Sequence, residues 1–261
     1  MLSIDSDPIA YPTPLSSPRI TAALVGAQKC GTTTLASLLG EHPSICLARD
    51  KEAHLFDQTE VQRHGPTIAE IEACFPHRHT GQILLDATPS YLYLPGCLEA
   101  LVRHAPDVRV LVVLRSPADR AVSHYGHERR LGTERLPFIA ALATERWRLR
   151  RDADPLDARS AHRISSYLDR GRYARQLERL RSITENYHVV LFNDLVANPV
   201  QVLDGITDFL CVERHPLDQI PRLNVGDGRR HRLGRAIARK LTKRESIEAE
   251  SWLNLTAGVL R

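Results

Sequence analysis

Between Ile20 and Leu39 the chain runs from apolar to glycine-bounded and back to apolar, an order that few local structures accept. Ile20-Thr21-Ala22-Ala23-Leu24-Val25 reads as a buried strand, Gly26-Ala27-Gln28-Lys29-Cys30-Gly31-Thr32-Thr33-Thr34 as a tight loop, and Leu35 to Leu39 as the opening of a helix. Such a unit leaves backbone N–H groups at the helix start without intrahelical partners and aims them the same way. Lys29 adds a mobile cation, and the threonines add neutral donors. A phosphate suits that cradle.

The spacing departs from the triphosphate loop G-x-x-x-x-G-K-[ST]. Gly26 and Gly31 keep the glycine interval, but Thr32 stands at the lysine position and the lysine has moved forward to Lys29. The most apolar strand, Val108 to Leu114, ends in Arg115 and not in an acidic metal ligand. The expectation is an anion site with no metal. A second grip follows Arg115: Ser116 can cap a helix, Pro117 fits its first position and Asp119 its third. Arg115 at a strand end and Ser123 two turns into that helix can clamp another phosphate.

Gly26 to Leu35 resembles the 5′-phosphosulfate loop of sulfotransferases that use 3′-phosphoadenosine 5′-phosphosulfate (PAPS), most nearly the branch of heparan sulfate sulfotransferases and their bacterial relatives. Arg115, Pro117, Arg120 and Ser123 match that family's Arg-x-Pro-x-x-Arg-x-x-Ser pattern, which there holds the 3′-phosphate. The resemblance spans roughly residues 20 to 230. It implies an α/β, P-loop-containing three-layer fold with a central, mostly parallel sheet flanked by helices. The implied reaction is in-line, metal-independent transfer of a sulfuryl group from PAPS to an acceptor hydroxyl, releasing 3′-phosphoadenosine 5′-phosphate. The nucleotide would be held by Gly26, Gln28, Lys29, Cys30, Gly31, Thr32, Thr33, Thr34, Arg115 and Ser123, and Lys29 would also serve the chemical step.

By residue type alone Arg49 to Asp57 is a charged loop with a small apolar anchor. Lys51-Glu52-Ala53-His54-Leu55-Phe56 is similar to the family's lysine-glutamate segment, which makes Glu52 the implied general base and acceptor contact. His54 is an alternative with a more convenient ordinary pKa. Asp86, delivered to the sheet edge by Gln82 to Leu85, is a third. Thr88-Pro89-Ser90-Tyr91 matches a small-Pro-x-Tyr pattern, implying that Thr88, Ser90 and Tyr91 line the acceptor pocket. Gly171-Arg172-Tyr173 resembles an element that closes the nucleotide side through its tyrosine, here Tyr173. Val225 to Arg230 resembles a late glycine-arginine loop, implicating Gly228, Arg229 and Arg230 without separating the two arginines. Two departures stand out: no lysine accompanies Asp86-Ala87-Thr88, and Asn193 replaces a glutamate before Asp194-Leu195.

Elsewhere the patterning predicts strands at 44–48 and 188–192. It predicts helices near 67–75, 95–104, 134–150, 160–180 with a break at Gly171, 199–209 and 246–255. Proline-rich residues 1–19 read as an extended or flexible arm, and 20–261 as one domain. The net charge of +4 favours anionic ligands slightly, but no basic tract with interleaved aromatics points to specific nucleic-acid binding. Five dispersed cysteines without a C-x-x-C pair suggest a reducing compartment. No apolar run reaches transmembrane length, whereas Golgi members of the resembled group carry an anchor, so the expected location is cytoplasmic. The acceptor stays open among carbohydrate hydroxyls, a lipid-linked sugar and a hydroxylated small metabolite, and a homo-oligomer is left open. The competing readings are a nucleotide-dependent kinase and a non-catalytic module for nucleotides or anionic polymers.

Overall fold

The computed structural model describes residues 18–215 and 232–257. Five strands form one sheet: β1 (Ala22–Gly26), β2 (Ile45–Leu47), β3 (Ile83–Asp86), β4 (Arg109–Leu114) and β5 (Tyr187–Leu191). Their order is β2-β3-β1-β4-β5 and every pairing is parallel. β1 is fully buried and β4 is buried from Val110 to Leu114, as strands covered on both faces must be. Helices flank the sheet.

The helices are α1 (Thr32–Gly40), α2 (Thr59–His64), α3 (Ile68–Cys74), α4 (Cys97–His104), α5 (Pro117–Leu131), α6 (Phe138–Arg151), α7 (Ala161–Ile164), α8 (Tyr173–Ile183), α9 (Phe192–Ala197), α10 (Pro199–Leu210), α11 (Arg232–Leu241) and α12 (Lys243–Ala257). A 3-10 turn over Asp169–Gly171 stands where Gly171 was expected to break a helix. The largest core cluster follows the sheet and its covering helices. A smaller one joins α5, α6 and α11 around Tyr125, Phe138, Tyr167 and Ala238. Among the described residues no helix is long and apolar enough to cross a membrane.

Topology places the site. From β1 the chain crosses to β2 on one side, whereas β4 leads to β5 on the other, so the connections diverge between the adjacent strands β1 and β4. In parallel α/β sheets a crevice opens at the carboxyl ends of two such strands. The two sequence segments with anion-gripping character emerge there, Gly26 to Thr34 after β1 and Arg115 to Ser123 after β4.

Candidate active site

The loop after β1 is fixed at both ends by its glycines. The Ala27 N–H donates to the Val113 carbonyl at 2.8 Å, which ties the loop to β4. A Cβ on Gly26 would lie 2.7 Å from Leu92, whose own N–H donates to the Val25 carbonyl at 2.9 Å. Only hydrogen at Gly26 lets the turn after β3 close over the end of β1. Gly31 caps α1 from the left-handed region, at φ 91°, and makes no side-chain cap bond. The first turn of α1, led by Thr32, Thr33 and Thr34, therefore presents its N–H groups without a cap.

Lys29 adopts φ 69°, and Lys51 and His54 adopt 64° and 50°. With Cys211 these are the four non-glycine residues of positive φ among the described residues. Such conformations cost on the order of 1–3 kcal/mol each and gather where the surrounding structure holds a functional geometry. Three of the four belong to two facing loops.

Lys51 joins those loops. Its Nζ donates to Thr33 Oγ1 at 3.3 Å, at the start of α1, and to Glu52 Oε1 at 2.5 Å. The other Glu52 oxygen lies 3.3 Å from His54 Nε2, and His54 Nδ1 lies 2.8 Å from Asp57 Oδ2. Burial opposes ionisation of Glu52, but the bonds from His54 and Lys51 prevail and hold its carboxyl below the usual range. The Asp57 and Glu52 bonds push His54 up to about 9, so it is a cation at neutral pH and has no free lone pair for a proton. Glu52 can accept a proton; His54 is its partner. Burial, then Arg130, lowers Lys29, while Glu128 and Glu52 oppose the shift.

Asp86, Thr88, Ser90 and Tyr91 occupy a different place from the one expected. Asp86, Thr88 and Tyr91 are wholly buried. Asp86 accepts from the Ala53 N–H at 3.1 Å, from Thr88 Oγ1 at 2.5 Å and from the Tyr91 hydroxyl at 2.8 Å. Thr88 Oγ1 accepts from the His54 N–H at 3.2 Å, and the Tyr91 oxygen accepts from Leu55 and Phe56 N–H groups at 2.9 and 3.2 Å. Ser90 donates to Asp57 Oδ2 at 3.0 Å. These side chains bolt the Lys51–Asp57 loop to the end of β3 and do not face an open cleft. Burial raises the Asp86 carboxyl, against its three donors.

Across the crevice, the Arg115 guanidinium lies 4.8 Å from the centre of the Phe192 ring, and a Cβ on Gly31 would touch that ring at 2.8 Å. Phe192 thus separates the two anion grips. Ser123 is half-buried on α5. Cys30 and Tyr173 are buried together, Sγ to Oη 3.5 Å, so the tyrosine braces the loop from below. Gln28 accepts from the buried Arg170 Nη1 at 2.7 Å. Gly228, Arg229 and Arg230 lie outside the described residues.

Several participants escaped the sequence. Asp57, at i+3 from His54, carried a weak signal in the acidic end of its segment. It also accepts from Arg163 Nη1 at 2.9 Å, a partner more than a hundred residues away that no local pattern reveals. On α5, burial and then Lys29 and Arg130 lower His127, and burial raises Glu128 against Thr133 and Lys29; neither residue was singled out by the sequence.

Comparison with known proteins identifies the family and the fold. Residues 20–223 match the model of the sulfotransferase domain. Heparan sulfate glucosamine 3-O-sulfotransferase 6 of Homo sapiens is 31% identical over 210 residues, covering 79% of this chain and 56% of that protein. The mouse protein of the same name is 30% identical over the same shares. The chain thus spans little more than half the length of these relatives. The crystal structure of a sulfotransferase from Alicyclobacillus acidocaldarius superposes with a TM-score of 0.71 at 27% identity, covering 91% of this chain and 96% of that one. The sulfotransferase domain of the Synechococcus PCC 7002 olefin synthase shares the fold at a TM-score of 0.54 and 20% identity, over 91% and 95% of the two chains.

Proposed function

The chain belongs to the sulfotransferase domain family, and from that premise we propose that it transfers a sulfuryl group from PAPS to an acceptor hydroxyl. The observation that carries the reading is Lys51, whose amino group bridges the start of α1 and the Glu52 carboxylate. It sets an ionised base beside an anion cradle.

The residues present fit such a donor. The uncapped first turn of α1, Lys29 and the Gly31 to Thr33 backbone act as a phosphate-binding loop for its 5′ end, and Arg115 with Ser123 takes the 3′-phosphate. When bound, PAPS supplies a sulfuryl group whose bond to the 5′-phosphate oxygen breaks as the acceptor oxygen bonds to sulfur. Glu52 takes the acceptor's proton, and His54 holds Glu52 ionised and oriented. Lys29 and the α1 N–H groups neutralise charge on the departing phosphate, and their preorganisation is what lowers the barrier. Asp86, Thr88 and Tyr91 keep the base loop in register.

The acceptor we favour is a carbohydrate hydroxyl, supported by relatives named for glucosamine 3-O-sulfation, with a hydroxylated small metabolite as the other class. The kinase reading is left without support of its own. Five free cysteines support a reducing, cytoplasmic setting. The test is a mass-spectrometric screen of glucosamine-containing oligosaccharides and hydroxylated metabolites with PAPS. The expected result is an acceptor that gains one sulfuryl group in step with release of 3′-phosphoadenosine 5′-phosphate. ATP consumption with phosphorylated product would overturn the proposal.

A further inference from the structure

Helix α6 has an outward face that the proposed reaction does not use. Its inner face, formed by Phe138, Ala141, Leu142 and Glu145, is buried against the body of the molecule. Ile139, Ala143, Arg146, Trp147 and Arg150 follow the i, i+4, i+7, i+8, i+11 spacing of a single helix face, and all five are exposed. Trp147 is 61% exposed and Ile139 52%, and Leu136 stands exposed just ahead of the helix. Single apolar residues scattered over a surface need no explanation, but a tryptophan and an isoleucine about two turns apart on one exposed stripe do.

The charges around that stripe have one sign. Residues 129–151 carry seven arginines and two carboxylates, and both carboxylates turn inward. Glu134 accepts from Arg148 Nη1 at 2.7 Å, and Glu145 accepts from the Leu168 and Asp169 N–H groups at 2.8 and 2.7 Å. Arg135, Arg146 and Arg150 are exposed and make no ion pair among the described residues. The Arg151 guanidinium lies 4.9 Å from the centre of the Trp147 ring. Acidic residues resume only past the end of the helix, where Asp152, Asp154 and Asp157 each accept from a backbone N–H.

We propose that this face of α6 docks on an anionic lipid bilayer, with Trp147 and Ile139 entering the interface and Arg135, Arg146, Arg150 and Arg151 meeting lipid phosphates. The proposal does not depend on the reaction. A helix lying in a membrane surface needs apolar side chains for the acyl boundary and cations for the headgroups, and tryptophan suits that level because its ring is apolar and its N–H is polar. Arginine stems lie along apolar surface while their heads stay among the phosphates. A second copy of this chain is a poor occupant, since two such faces would set arginine against arginine with no exposed carboxylate on α6 to pair them. A soluble polyanion would engage the arginines and give Ile139 nothing to enter.

The test is flotation of the full chain with vesicles of phosphatidylcholine alone and of equimolar phosphatidylcholine and phosphatidylglycerol, read beside tryptophan emission. The chain should prefer the anionic vesicles, and added salt should release it. Of the two tryptophans Trp252 is buried, so a blue shift on binding reports Trp147, and Trp147→Phe should abolish the shift while keeping the binding. Arg146→Gln combined with Arg150→Gln should weaken binding by about fivefold for each arginine and about 25-fold for the pair. Ile139→Asp should weaken it as well. All four side chains are exposed, so these changes leave the core untouched. Absence of binding to the anionic vesicles, or binding that gives no shift and survives the substitutions, overturns the proposal. A dimer that Ile139→Asp dissociates, without vesicle binding, would assign the face to a second copy. Dextran sulfate binding that is lost with the arginine pair, again without vesicle binding, would assign it to a soluble polyanion.

Discussion

Glu52 is flanked by two cations, Lys51 and His54, that stabilise its charged form from opposite oxygens. Replacing it by glutamine removes the proton acceptor and keeps the shape. Glu52→Gln should slow the single-turnover rate by about 10² to 10⁴-fold, the usual range for a positioned base, without changing nucleotide affinity. An unchanged rate would remove Glu52 from the chemistry. His54→Gln takes away one of the bonds that hold Glu52 low, so the acid limb of the kcat profile should move to higher pH. A limb that stays in place would show that His54 does not tune the base. The stability of the fold should also carry the mark of His54. Its folded-state pKa of about 9 exceeds the ordinary value, so the stabilisation is complete below about pH 6.5 and fades as pH rises through 9. Urea titrations at about pH 6 and about pH 10 should show a loss that His54→Gln abolishes. At this scale the sequence exposed the charged groups and hid their bearings. Lys51, Glu52 and His54 were visible as a charged segment, but that Asp86, Thr88 and Tyr91 turn inward to hold it depends on how the loop folds back over β3.

Gly31 joins a loop to a helix under two separate constraints. Its φ of 91° disfavours any side chain, and a Cβ would meet Phe192 at 2.8 Å. Gly31→Ala should therefore destabilise the protein by about 1–3 kcal/mol and displace the ring that lies under Arg115. Chemical denaturation reads the first effect and nucleotide affinity the second; a variant of native stability and affinity would contradict the account. Elements with explicit punctuation were legible. Ser116, Pro117 and Asp119 announced the start of α5, and Ser116 does accept from the Asp119 N–H, at 3.5 Å. α2 offers a single apolar residue, Val61, among five polar ones, so it carries no apolar period and was not foreseen. α6 begins at Phe138 and not at Glu134 because Glu134 is committed elsewhere: buried, it accepts from the Leu136 N–H, Arg148 and the Tyr167 hydroxyl. That contact joins residues 33 apart and leaves no local trace.

Over the whole molecule, the parallel sheet brings two distant grips to the ends of adjacent strands, one after β1 and one after β4. Buried runs made those strands readable, and the motifs after them supplied the chemistry. The order in which they assemble is a tertiary fact, as is the cover that α12 lays over β4 and β5. Two grips on one nucleotide make a quantitative demand. The affinities of adenosine 3′,5′-bisphosphate and adenosine 5′-monophosphate should differ by about tenfold or more in wild type, as expected for charge-assisted bonds to a second phosphate. Arg115→Ala should bring the two affinities together, because the residue that reads the 3′-phosphate is gone. Equal affinities in wild type, or a difference that survives Arg115→Ala, would contradict the claim that Lys29 and Arg115 hold the two ends of one donor.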